Sequence, residues 1–267
     1  MEEKGIDLTV QISMGLEDLP KVPWDYVVTM GCGDACPFLP ARHRVNWDLR
    51  HDAPPAFTHS FEINANPGLT PASPEGPLAL PGTYTVRLTV GQATISQTVT
   101  VRNDPRSPAS PSALVEQHLL QLQITTAMRA TWDAEHQVIA LRSALTRATA
   151  GHANAEVVAA AAALRATIDS TAGAGTGRSA GGRAPARPTF RGINASMAGQ
   201  LTAQDNADFA PTPAMRAAYT SVCRDLSVLH AAWQRVLQRD LPAANVILAR
   251  HGVPALAAPR AGGSPRC

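Results

Sequence analysis

Residues 120–148 read LQLQITTAMRATWDAEHQVIALRSALTRA, and the spacing inside this stretch decides the fold of most of the chain. Leu120, Ile124, Ala127, Thr131, Ala134, Val138, Leu141, Leu145 and Ala148 follow one another at alternating intervals of four and three. That is a heptad stripe along one helix face, and its small members let a neighbouring helix approach closely. A helix from about 112 to 149 would be about 55 Å long at ~1.5 Å per residue, beyond a compact domain unless a partner runs alongside. Val157, Ala161, Leu164 and Ile168 repeat the spacing after Gly151. Met215, Tyr219, Val222, Leu226, Leu229, Trp233 and Val236 repeat it again before Pro242. Residues 111–258 are therefore expected to form an antiparallel helical hairpin or a three-helix bundle. Between the stripes, 172–188 is rich in Gly, Ala, Arg and Pro without any period and reads as a flexible linker. Residues 259–267 read as a disordered tail.

Working back towards the N-terminus, residues 56–110 read as β. Phe57–Ile63 is a candidate strand. Tyr84, Val86, Leu88 and Val90 alternate with Thr85, Arg87 and Thr89, the period of a half-buried strand. Gly91-Gln92 fits a two-residue hairpin turn with glycine at positive φ, and the return strand places Ile95, Val99 and Val101 opposite Ser96, Thr98 and Thr100. The spacing predicts a hairpin over 83–101 within a partial β-sandwich, because two strands are not stable alone and their apolar face needs a partner.

Residues 1–55 read as α/β. Trp24–Met30 is a continuous β-prone run of the kind found in buried parallel strands, and it enters Gly31-Cys32-Gly33-Asp34. Residues 42–49 form either a second strand or a connector. Composition changes at the same joint: both lysines, Lys4 and Lys21, lie before it, and the 47 alanines lie almost wholly after it. Residues 111–267 carry fifteen arginines against nine acids, but singly along helical patterns and with few aromatics, so nucleic acid is not an expected partner. No apolar run exceeds the eight residues Val157–Leu164, so no membrane span is expected. The first residues show neither a basic nor an apolar leader pattern, which predicts a cytoplasmic chain.

The densest chemistry is Cys32-Gly33-Asp34-Ala35-Cys36. Two thiols four residues apart on a Gly-rich loop suit thiol–disulfide exchange or part of a metal site, although two ordinary reduced cysteines have the same spacing. His43, His51 and His59 would complete a zinc set, but their spacing matches no standard pattern, and no metal or cofactor is expected. Cys36 to Arg42 also matches the cysteine–five–arginine phosphate loop formally. Pro37 and Pro40 have no N–H to present to an oxyanion, so the match is taken as accidental. Glu116, Glu135, Glu156, Asp225 and Asp240 read as exposed helix charges.

The string Trp24-Asp25-Tyr26-Val27-Val28-Thr29-Met30-Gly31-Cys32-Gly33-Asp34-Ala35-Cys36-Pro37, followed by Trp47-Asp48-Leu49, resembles the C-terminal half of low-molecular-weight phosphatase-type arsenate reductases over residues 1–53. The resemblance implies a flavodoxin-like sheet with Cys32 and Cys36 as redox thiols open to a thiol donor. It also implies a general acid near Asp52, displaced by one position from the family pattern. The family's nucleophilic cysteine stands upstream of the matching stretch. A second string, Gly76-Pro77-Leu78-Ala79-Leu80-Pro81-Gly82-Thr83-Tyr84-Thr85-Val86-Arg87-Leu88-Thr89-Val90 with Asp104-Pro105-Arg106, resembles the C-terminal accessory region of sortilin-like, BNR-repeat β-propeller proteins, often labelled glycosyl hydrolases. Asn206–Thr212 and Arg239–Ala243 fit the same region.

The expected fold is therefore α+β: an incomplete flavodoxin-like fragment, a β-hairpin or partial β-sandwich, then the helices. The expected function is a non-catalytic fusion of a phosphatase-like fragment to an interaction or structural region, self-associating through helices 112–149 and 213–241 or binding another protein. The alternatives are a thiol-coupled arsenate reductase or phosphatase whose first half lies outside this sequence, and a glycosyl hydrolase-related accessory domain.

Overall fold

The computed structural model describes residues 22, 24–29, 41–46, 49–57, 60–61, 72–173 and 187–259. The chain divides into two compact units, Met1–Leu49 and Arg50–Cys267. In the first, β1 (Trp24–Thr29) and β2 (Ala41–Asn46) pair in parallel, with Trp24 opposite Ala41 and Val28 opposite Val45. Residues 42–49, open between strand and connector in the sequence, thus contribute a strand. A parallel pair needs a crossover connection rather than a tight turn.

The second unit is α+β. It begins with a short antiparallel pair, β3 (Ser60–Phe61) and β4 (Ala72–Ser73). Phe57 lies outside β3, so the strand expected from Phe57 does not begin there. A two-stranded ribbon follows, β5 (Gly82–Val90) and β6 (Ala93–Val101), in unbroken register from Gly82 opposite Val101 to Val90 opposite Ala93. Gly91 adopts φ +61° in the connecting turn, the conformation that spares glycine a Cβ clash. The rows fall as the alternation predicts: Tyr84, Val86, Val99 and Val101 are half-buried, none of the described ribbon side chains is fully buried, and Ile95 is 55% exposed.

The helices are α1 (Pro111–Thr149), α2 (Ala155–Ala172), α3 (Phe190–Asp205), α4 (Pro213–Arg235) and α5 (Leu241–Arg250), the last two joined by one π turn, Val236–Asp240. Four of them start at side-chain caps. Ser110, Asn154, Thr189 and Thr212 each accept a hydrogen bond from a backbone N–H of the first turn, and Pro111 and Pro213 fill the first helical position, where an N–H is not needed.

Cross-helix contacts give the directions. Arg142 meets Asp169 at 2.7 Å and Arg165 meets Thr146 at 2.7 Å, so α2 runs antiparallel along the second half of α1. Asn194 meets Thr131 at 3.1 Å while the Gln121 amide meets the Gln204 carbonyl, so α3 runs antiparallel along the first half. Arg216–Glu116 and Trp233–Gln137 make α4 run in the same direction as α1. The outcome is a bundle of three rows, with α1 one row, α2 and α3 sharing the second and α4–α5 the third. The stripe read from the sequence is the core seam: Leu120, Ile124, Ala127, Thr131, Ala134, Val138, Leu141 and Leu145 are all buried. Val157, Leu164, Ile168, Tyr219, Leu226, Leu229, Trp233 and Val236 close on them.

Two elements differ from expectation. Residues 190–205 form α3, although no helix was expected immediately after the linker. The third row does not stop near 241 before Pro242: α5 carries it to Arg250. The Leu241 N–H bonds the Val236 carbonyl five residues back, and this wider turn leads into Pro242, which has no N–H to give a tighter one. Residues 174–186, within the expected linker, and 260–267, within the expected tail, lie outside the described residues.

Trp233 is fully buried and donates to Gln137 Oε1 at 2.8 Å, tying the third row to the first. Trp233→Ala is expected to lower stability by about 3–5 kcal/mol in urea denaturation. Met215→Ala, at the half-buried start of the same stripe, costs clearly less.

Candidate functional site

The described polar side chains converge where the chain enters the second unit. Residues 50–57 form a strap that follows the groove between α1 and α3. At its start Arg50 acts as a hub: Nη1 donates to Asp205 Oδ1 at 2.9 Å and to the Gly76 carbonyl at 3.0 Å, and Nη2 lies 3.4 Å from Glu75 Oε2. A planar guanidinium suits this role because it presents several donors in a fixed fork. Arg50 also bridges Leu78 through the backbone, and the His51 N–H donates to the Pro77 carbonyl at 2.9 Å. Gly76 makes this approach possible: a Cβ there would collide with the carbonyl of His51.

At its far end the strap is gripped by Asn194, which is fully buried. Its Oδ1 accepts from the Phe57 N–H at 3.1 Å, and Nδ2 faces the Pro55 and Met128 carbonyls and Thr131 Oγ1 at 3.0–3.2 Å. Both strap and helices thus satisfy a polar group that would be costly to bury alone. The Phe57 ring stacks on Trp132 at 4.5 Å, Arg191 covers Phe57 at 4.5 Å, and His136 lies 4.4 Å from Trp132. Between these ends, His51 and His118 lie with ring centres 5.1 Å apart. Burial holds His118 below the ordinary histidine value and the neighbouring His51 pushes the same way, while a backbone contact with Leu78 opposes both. Below the ribbon, a side-chain hydrogen bond from Arg106 holds the Asp104 carboxyl at about 2. The Asp104-Pro105-Arg106 string is thereby an Asx turn, with the Arg106 N–H 2.8 Å from Asp104 Oδ1.

The residues singled out by sequence are not drawn into one cluster by the described structure. Cys32, Cys36 and His59 lie outside the described residues. Arg42 is exposed on β2, which also carries His43. Asp52 belongs to the second unit, is exposed, and contributes its backbone carbonyl to Arg129 at 3.1 Å. His51 belongs to the strap. Glu116 and Glu156 are exposed, pairing with Arg216 at 2.7 Å and His251 at 2.8 Å, and Asp225 is exposed too. Two carboxylates are corrected. Glu135 is buried, 3.9 Å from Arg191, because it sits between the α1 seam and α3. Asp240 is half-buried in the π turn against Arg239. Cys223 is buried in α4 and disulfide-bonded, and the Tyr219 hydroxyl lies 3.4 Å from its sulfur.

Sequence reasoning missed Arg50 and Asn194, the two residues on which the strap depends. Asn194 carried a signal: it stands between Ile193 and Met197 on the face that Phe190, Met197 and Leu201 make apolar, so an amide there had to be satisfied internally. Arg50 carried none, since its partners Glu75 and Asp205 are distant in sequence. Among the described residues no group of three or more His, Cys, Asp or Glu side chains is placed to hold a metal ion. No protein family, curated protein or solved structure matches the chain.

Burial lowers His230 as well as His118, so both prefer the neutral form in the folded state. Their contribution is complete above the unfolded value near 6.5 and is lost as pH falls through that value towards the lower folded ones. The urea midpoint should therefore drop on acidification below about 6.5, and His118→Gln with His230→Gln should flatten that slope. Gly76→Ala should destabilise by forcing the strap off its seat. Gly199→Ala, in α3 with nothing within 4 Å of the new methyl, should stabilise by about 0.5–1 kcal/mol in thermal unfolding.

Proposed function

We propose that this chain is a non-catalytic fusion, in which an arsenate-reductase-like fragment, of low-molecular-weight tyrosine phosphatase type, precedes an interaction region of the kind that follows sortilin-like β-propellers. The observation that carries the proposal is the contrast inside the second unit. The helices close on a core of their own, whereas the ribbon Gly82–Val101 keeps no buried side chain among its described residues. A self-sufficient scaffold that holds out a ribbon exposed throughout its turn end, residues 91–98, is suited to binding. The polar groups around the strap serve the same end: Arg50, Asn194 and Gln117 all tie chain to chain through backbone carbonyls or structural carboxylates. Asp52, the candidate acid, takes part through its carbonyl rather than its carboxylate. No described helix is long and apolar enough to cross a membrane.

The second reading, a thiol-coupled arsenate reductase or phosphatase, is favoured by one observation. The β1–β2 pair is parallel, the topology that a flavodoxin-like sheet requires of consecutive strands around a crossover. Purified chain assayed with arsenate and with an aryl phosphate, in the presence of a dithiol donor, separates the two. Turnover at the uncatalysed background is the expected result, because the nucleophilic thiolate of that chemistry has no counterpart in the matching stretch. Turnover well above background that disappears in Cys36→Ser would establish the enzyme reading instead.

A further inference from the structure

Among the described residues β5 and β6 pair only with each other, and each has an outer row of backbone N–H and C=O groups with no strand partner among those residues. A two-stranded sheet is marginal in water, and this one grows barer towards its turn, where residues 91–98 are all exposed. Natural edge strands are guarded by charge, proline, bulges or shortness. The two edges here differ in that respect. β5 starts directly after Pro81 and carries Arg87, the one charged residue of the ribbon. β6, ATISQTVTV, spans nine residues with no charge, no proline, no glycine and no break in register, and Thr94, Ile95, Thr98, Val99, Thr100 and Val101 are β-branched.

We infer that the outer edge of β6 is a self-association surface, on which a second copy of this chain lays its own β6 antiparallel to form a four-stranded sheet. This rests on the reading of the ribbon as the binding element. A two-fold contact brings the same strand from both copies together, so the edge must be self-complementary. An edge without charge meets that condition. Pairing through β5 would instead bring Arg87 of each copy towards the other, and like charges on neighbouring strands oppose it. The same asymmetry closes the assembly: once the β6 edges are joined, both outer edges are β5, each guarded by Arg87. Doubling the sheet also gives Ile95, Val99 and Val101 a shared apolar face in place of a narrow ribbon.

Light scattering on the full chain is the test. The expected mass is twice the 28.1 kDa of one chain. Thr98→Lys and Thr98→Glu, both on the exposed face of β6, should each weaken the dimer by roughly tenfold or more while leaving the helical circular dichroism unchanged. An equimolar mixture of the two variants should recover the two-chain species, since Lys then faces Glu. Arg87→Glu should leave the dimer in place. A wild-type chain that stays monomeric would overturn the inference, whether it is inert or takes up an unrelated extended peptide. So would a dimer indifferent to both Thr98 variants. Neither result touches the non-catalytic reading, which stands or falls on turnover.

Discussion

The structure depends on one requirement: the apolar stripe of α1 must be covered along the whole length of the helix. At ~1.5 Å per residue a 39-residue helix extends nearly 60 Å, far more than one ordinary helix can shield. The chain meets the requirement by placing two half-length helices end to end on one side and a long, once-widened helix on the other. Each covering element is fixed by a polar cross-tie as well as by apolar contact: Arg142 to Asp169 for α2, Asn194 to Thr131 for α3, Trp233 to Gln137 for the third row. Apolar burial supplies the driving force without direction, and the hydrogen bonds select the register.

The strap is a consequence of the same arrangement. Two helices of unequal length leave a groove at their N- and C-terminal ends, and residues 50–57 fill it, with Ala56 joining the core cluster. Extended chain laid against helices has carbonyls and amides to satisfy, and the buried Asn194 is directed at the Pro55 carbonyl and the Phe57 N–H, while Arg129 donates to the Asp52 carbonyl at the surface. The strap is therefore held largely through its backbone, and the Asp52 side chain stays exposed.

Much of this was legible in the amino-acid sequence because it is local. The heptad spacing of α1 and the strict alternation of the hairpin are each determined by neighbours within a few residues, and both elements form where the pattern places them. The parallel strand Trp24–Thr29 was readable for the same reason. α3 was hidden by its neighbour: a Gly- and Pro-rich run immediately upstream masks the stripe Phe190, Ile193, Met197, Leu201 that a wider window would have shown. The burial of Glu135 and the hub at Arg50 were not legible at all. Each depends on partners that only the bundle brings within reach, Arg191 for one and Asp205 for the other. As for the thiols Cys32 and Cys36, their spacing permits several chemistries and selects none.

The π turn at Val236–Asp240 acts on the third row as a phase shifter. Upstream, buried positions fall at Tyr219, Leu226, Leu229 and Trp233; downstream they fall at Leu241, Ala244 and Leu248, one place later than an unbroken helix would set them. One residue amounts to about 100° of rotation, so the extra residue turns the apolar face of α5 back onto α2 instead of letting it drift towards solvent. Reading frame and helix face are thereby uncoupled at a single point. Upstream and downstream halves can each keep the residues their own neighbours demand, and a change of length at the joint alters aim rather than composition.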